Sequence, residues 1–170
     1  MDRAQVVEQL PGLRRYARAL TGDPWAADDL VQDTLERACR KWSLWRSESD
    51  LRAWLFTLMH NLYLNQRRGL RECQPFDGEA QLLVSTKTGE ADETAIDLDR
   101  CLQRLPADQR AVLLLVTLED MAYADVARVL DIPVGTVMSR LSRARAHMRE
   151  LLEQTHAARP HSGATLRRMK

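Results

Sequence analysis

Apolar residues recur at helical spacing along most of the chain, and almost all of it reads as α-helix. Val6, Leu10, Leu13, Ala17 and Leu20 make a first stripe, closed by Thr21-Gly22. Asp23 and Pro24 suit the N-cap and first turn of a second helix, whose Ala27, Leu30, Val31, Leu35 and Ala38 face one way. The stretch from Trp42 to Asp50 breaks the period and ends in Ser49-Asp50, a good N-cap pair for the next helix. Leu51, Trp54, Leu55, Leu58 and Leu62 form that helix's inward face. From Cys73 to Thr94 the periodicity fades among Pro75, Gly78, Gly89 and several acids, the mark of a linker. Helical spacing returns with Ile96, Leu98, Leu102 and Leu105, closed by Pro106, then with an apolar helix ending near Leu118. Two further helices carry Val126, Ala127, Val129 and Leu130, then Val137, Leu141, Ala144 and Met148. Pro160, Ser162 and Gly163 mark a disordered tail. The expected fold is all-α, with two small helical domains (residues 1–72 and 95–154), a flexible linker (73–94) and a basic tail (155–170).

At 170 residues and 45% hydrophobic content the chain has enough apolar material for globular cores. Each domain of about 60 residues buries only a modest one, which makes docking against a partner attractive. A net charge of +1 conceals segregation: residues 73–94 carry five acids against Lys87 alone, and residues 155–170 four bases and no acid. The longest apolar run, Ala111 to Val116, falls far short of the ~18 residues of a spanning helix. Met1 to Leu20 is amphipathic and studded with Arg14, Arg15 and Arg18, unlike a secretory signal, so a soluble cytoplasmic protein without membrane insertion is expected. Cys39, Cys73 and Cys101 stand far apart without CxxC spacing, so no disulfide framework, metal site or cofactor is indicated. His60, His147, His156 and His161 are scattered, and no nucleophile setting or phosphate loop accompanies them, which argues against an enzyme.

The chemistry concentrates in DIPVGTVMSRLSRAR, Asp131 to Arg145. Asp131 sits where a turn needs a left-handed residue, and Pro133 fixes the start of the helix that follows. Opposite that helix's dry stripe, Thr136, Ser139, Arg140 and Arg143 fall at i, i+3, i+4 and i+7, so hydroxyls and guanidinium forks project together toward phosphates and base edges. From Ile132 to Arg149 there are four arginines and no acid. With Tyr123 to Leu130 before it, this is a helix-turn-helix. The competing reading is an ordinary helical hairpin with a solvated arginine face.

YADVARVLD followed by IPVGTVMSRLSRAR resembles the promoter-reading part of bacterial sigma factors of the extracytoplasmic-function (ECF) group. Ala27-Asp28-Asp29-Leu30-Val31-Gln32-Asp33-Thr34 resembles the helix by which those factors grip RNA polymerase. LRAWLFTLMHNLYLNQRR, Leu51 to Arg68, resembles the helix that opens the start-proximal promoter element. The resembling segments span Leu10 to Glu72 and Ala95 to Leu152, in the family's order. Two departures stand out: Ala122 where a capping serine is usual, costing on the order of 1 kcal/mol unless Asp120 substitutes, and Met138 at a position often basic.

The resemblance implies that the first domain is sigma region 2 and the second sigma region 4. It implies partners too: core RNA polymerase, through its largest-subunit coiled coil and its flap, promoter DNA, and an anti-sigma factor. Asp29, Gln32 and Asp33 would meet the polymerase. Asn61 and Asn65 would read the minus-10 element, while Arg67 and Arg68 hold phosphates. Thr136, Ser139, Arg140, Ser142 and Arg143 would meet the minus-35 element, with Ser139, Ser142 and Arg143 deepest in the groove and Thr136 and Arg140 on phosphates. The linker's 22 residues extend at most ~75 Å. The two promoter elements lie about 25 base pairs, or roughly 85 Å, apart, a gap the linker and two domains together can span. A conventional DNA-binding regulator built on the same helix-turn-helix, or a sigma-like protein that titrates a regulator, is the alternative. A repressor or activator has no need for the Asp28 to Asp33 face together with Asn61 and Asn65.

Overall fold

The helix ends are set by local chemistry that the sequence announces. Asp23 is extended and its carboxylate accepts the Ala26 N–H at 2.8 Å, opening the second helix. Asp50 Oδ1 accepts from the Arg52 and Ala53 amides at 2.9 and 3.3 Å and opens the third. The computed structural model describes residues 3–45, 50–73 and 93–158. In chain order the described helices are α1 (Arg3–Thr21), α2 (Pro24–Lys41), α3 (Leu51–Cys73), α4 (Glu93–Arg104), α5 (Ala107–Thr117), α6 (Tyr123–Leu130) and α7 (Val134–Ala158), with a 3₁₀ turn over Trp42–Leu44. The helix α7 runs to Ala158, so residues 155–158 of the expected tail are helical. Residues 46–49 of the period-breaking stretch, 74–92 of the linker and 159–170 lie outside the described residues.

Helices α1 to α3 pack on one another, and α4 to α7 form a second group around α7. Leu13, Tyr16, Leu20, Leu30, Leu55, Phe56 and Met59 fill the first group, with Tyr16 and Phe56 edge to face at 5.3 Å. Val112, Leu115, Val126, Val129, Val137 and Leu141 fill the second. The groups do not stand apart: α1 packs on α4 and α5, α3 packs on α6, and one buried cluster runs through both. This contact was not expected from the sequence. Its physical reason is size, because groups of this length bury little apolar surface alone and gain by burying it against each other.

The same packing explains α3. Leu51, Trp54 and Leu62 are only half-buried, whereas Phe56, Met59, His60 and Tyr63 join Leu55 and Leu58 inside. A helix clasped on more than one side is apolar around more of its circumference. Among the described residues no helix is long and apolar enough to cross a membrane.

Candidate nucleic-acid interface

The turn between α6 and α7 is built as its residues dictate. Asp131 takes the left-handed conformation, φ 52° and ψ 50°, and the Ile132 N–H reaches back to the Ala127 carbonyl at 3.0 Å. The Pro133 carbonyl then accepts from Thr136 and Val137 at 2.9 and 3.1 Å, launching α7. Ala122 begins α6 without a side-chain cap, and Asp120, itself at φ 50°, does not supply one.

Val137, Leu141, Ala144, Met148 and Leu151 are buried along one stripe of α7. On its outer side Ser139, Ser142 and Arg143 are exposed and Thr136 is half-buried. Arg143 folds back along the helix, its Nε donating to the Ser139 carbonyl at 3.2 Å and its Nη2 meeting Ser139 Oγ at 3.4 Å. Arg140 does not share this open face. Its side chain is 29% exposed and its Nε lies 3.3 Å from Asp108 Oδ2 on α5. Two cations that the sequence reading left unassigned, Arg145 and Arg149, line a depression of about 360 Å³ with Tyr123, Met138 and Ser142. Their signal was present in the acid-free stretch, but their register lies one step round the helix from the stripe singled out.

On α3, Asn61, Asn65 and Arg68 are exposed along one edge. Arg67 turns aside, its guanidinium 5.8 Å from the centre of the Tyr63 ring, a cation–π distance. Arg67 and His60 line a cleft of about 690 Å³ between the two groups, together with Arg104, Arg110 and Arg140 and with Asp108 as its carboxylate. His60 is buried, and its Nδ1 has no hydrogen-bond partner among the described residues. Burial, and then the nearby Arg140 charge, push its pKa down to about 4.

The α2 face shows Asp28, Asp29, Gln32, Asp33 and Glu36 to solvent. Asp33 is steadied by Gln66 of α3, whose Nε2 donates to its carboxylate at 3.1 Å. Gln32 and Glu36 are linked at 3.3 Å. Trp25, 82% exposed, lies one turn before Asp29 on this stripe and was not singled out from the sequence. Apolar residues at helical spacing ordinarily face a core, so an aromatic left outside carries no signal in the pattern.

A capped turn, a buried stripe and an arginine-bearing outer face make the α6–α7 unit a DNA-binding helix-turn-helix. The sequence profile of the Sigma2 domain of PhyR matches residues 6–60, and that of sigma-70 region 4 matches residues 95–148. The ECF RNA polymerase sigma factor EcfG of Rhodopseudomonas palustris is 36% identical over 152 residues, covering 88% of this chain and 84% of that protein. The ECF sigma factor SigM of Mycobacterium tuberculosis is 35% identical over 140 residues, 82% of this chain and 71% of that one. Among solved structures, the sigma factor RpoE of Bartonella quintana, in complex with the anti-sigma factor NepR, superposes with a TM-score of 0.74 at 33% identity, covering 89% of this chain and 96% of that one. The chain belongs to the ECF RNA polymerase sigma factors, a family of non-enzymatic transcription initiation factors.

Proposed function

We propose that this sigma factor docks on core RNA polymerase through the α2 face of Asp29, Gln32 and Asp33 and directs it to promoters in the cytoplasm. The Asn61 and Asn65 edge of α3 reads and melts the minus-10 element with Arg68 beside it on phosphates, and Ser139, Ser142 and Arg143 of α7 read the minus-35 element with Thr136 on phosphates, Arg67 and Arg140 turning to phosphates when the two groups part. Asparagine offers both a donor and an acceptor to an unstacked base. Serine and arginine suit base edges in the major groove. The observation that carries this reading is that one chain exposes both a helix-turn-helix face and a separate asparagine edge beside an acidic helix. A repressor or activator has use only for the first. Control by an anti-sigma factor follows from the RpoE–NepR relative.

The test is transcription in vitro of the source organism's own genomic DNA by core polymerase with and without the purified chain. The expected outcome is a new set of 5′ ends sharing one upstream and one start-proximal sequence. Absence of any start beyond those of core alone would overturn the reading in favour of a regulator or a titrating protein.

A further inference from the structure

We propose that the docked arrangement of the two helical groups is a self-inhibited state, in which Glu119 closes the second group onto Gly12, Arg15 and Arg52 of the first and so keeps the chain from spanning a promoter. This rests on the promoter reading above. Glu119 follows α5 in the turn to α6, and its side chain is fully buried. Its carboxylate accepts from Arg15 Nε and Nη2 at 3.3 and 3.2 Å and from Arg52 Nη2 at 3.0 Å. Arg52 also donates to the Glu119 carbonyl. Both arginines belong to the first group and keep part of their side chains in solvent, so a fully buried carboxylate of the second group depends on the first for every one of these charge partners, and separation breaks all of these bonds at once.

A second set of contacts closes the other end of α1. Its final carbonyls have no partner within the helix. Arg110 Nη1 donates to the Leu20 carbonyl at 2.7 Å and Gln103 Nε2 to the Ala19 carbonyl at 3.0 Å. A cation there also meets the negative end of the helix dipole.

Two glycines show that α1 is shaped to receive these side chains. An added Cβ at Gly22 would lie 2.5 Å from Gln103 Cδ, and one at Gly12 would lie 2.7 Å from Glu119 Oε2. Gly22 has a local reason as well, since its φ of 74° ends the helix. Gly12 has none: it stands inside α1 beside Pro11, where both residues weaken a helix. What the missing side chain admits is the Glu119 carboxylate.

Docking and promoter reading exclude each other by span. A globule of about 150 residues has a radius of gyration near 15 Å and is roughly 40 Å across, whereas the two elements are roughly 85 Å apart. With α6 packed on α3, the asparagine edge and the helix-turn-helix belong to one such body. Arg140 of the reading helix is meanwhile turned into the cleft against Asp108.

The full-length chain tests this with two variants that spare every DNA- and polymerase-facing residue. Gly12→Leu removes the seat for the carboxylate while leucine favours helix over glycine. Glu119→Gln keeps the shape and removes the charge. With far-UV circular dichroism unchanged, both should raise the radius of gyration in small-angle scattering by roughly 1.3- to 1.5-fold, and both should reach half-maximal promoter transcription with core polymerase at a sigma concentration at least threefold lower than wild type. Unchanged radii in both variants would overturn the latch. Larger radii with the wild-type concentration dependence would overturn the inhibition. Open variants and a wild type that all fail to start transcription would overturn the promoter reading on which the inhibition rests.

Discussion

His60 shows how one side chain acquires a property its position in the sequence does not suggest. Among four scattered histidines it looks like a surface residue of α3, yet it is 7% exposed beneath Arg140 of the other helical group. Its pKa of about 4, against 6.5 in the unfolded chain, means that between those values the unfolded state takes up a proton the folded state refuses. Its effect on stability is therefore absent above about pH 6.5, grows as the pH falls toward 4, and levels off below. A shift of that size amounts to about 3 kcal/mol of lost stability across the window. The variant His60→Leu should remove this part of the slope, so urea unfolding at pH 7, 5.5 and 4.5 should show wild type losing more stability than the variant. Parallel losses in the two proteins would assign the acid sensitivity elsewhere. Glu119 makes the same point with the opposite charge: the sequence presents an unremarkable acid at the end of an apolar helix, and only the arrival of α1 and α3 makes it a buried anchor.

At the scale of the element, α2 and α7 carry the functional surfaces, and each supports a prediction. Reversing Asp29 and Asp33 to Lys should weaken binding to core polymerase with helical content unchanged, because exposed acids contribute little to folding. Trp25→Ala should weaken the same complex by more than about 1 kcal/mol, as exposed aromatic anchors do once an interface covers them. Both are read in a core-binding titration, where wild-type affinity in either variant would clear α2 of the role. On α7, Arg143→Ala should cost ~1 to 3 kcal/mol in promoter binding by the holoenzyme and relax base preference in the upstream element. Arg140→Ala should instead weaken binding about equally on all sequences and lower its salt dependence by roughly one contact. Affinities for single-base variants at several salt concentrations separate the two, and an identical sequence-blind loss would make Arg143 a phosphate anchor. These helices were legible in advance because their ends and stripes are local: Asp23, Asp50 and Pro133 accept from amides a few residues away, and Asp131 turns the chain through its own left-handed backbone. The uncapped start of α6 at Ala122 was legible for the same reason.

For the molecule as a whole, sequence and tertiary structure divide the work by the range of the interactions. The sequence by itself determined the seven described helices, the turn geometry at Asp131, the buried stripe of α7 and the exposed face of α2, since each follows from side-chain period and capping within a single element. It also carried the family, because the motifs that resemble sigma factors lie within single helices or neighbouring pairs. The tertiary structure alone decided that α1 receives Glu119, Gln103 and Arg110, that Arg67 and Arg140 turn into a shared cleft, and that Phe56, His60 and Tyr63 are buried. Those outcomes join residues dozens of positions apart. They turn on whether two small helical groups gain more by burying surface against each other than by remaining apart, a balance that no local pattern records.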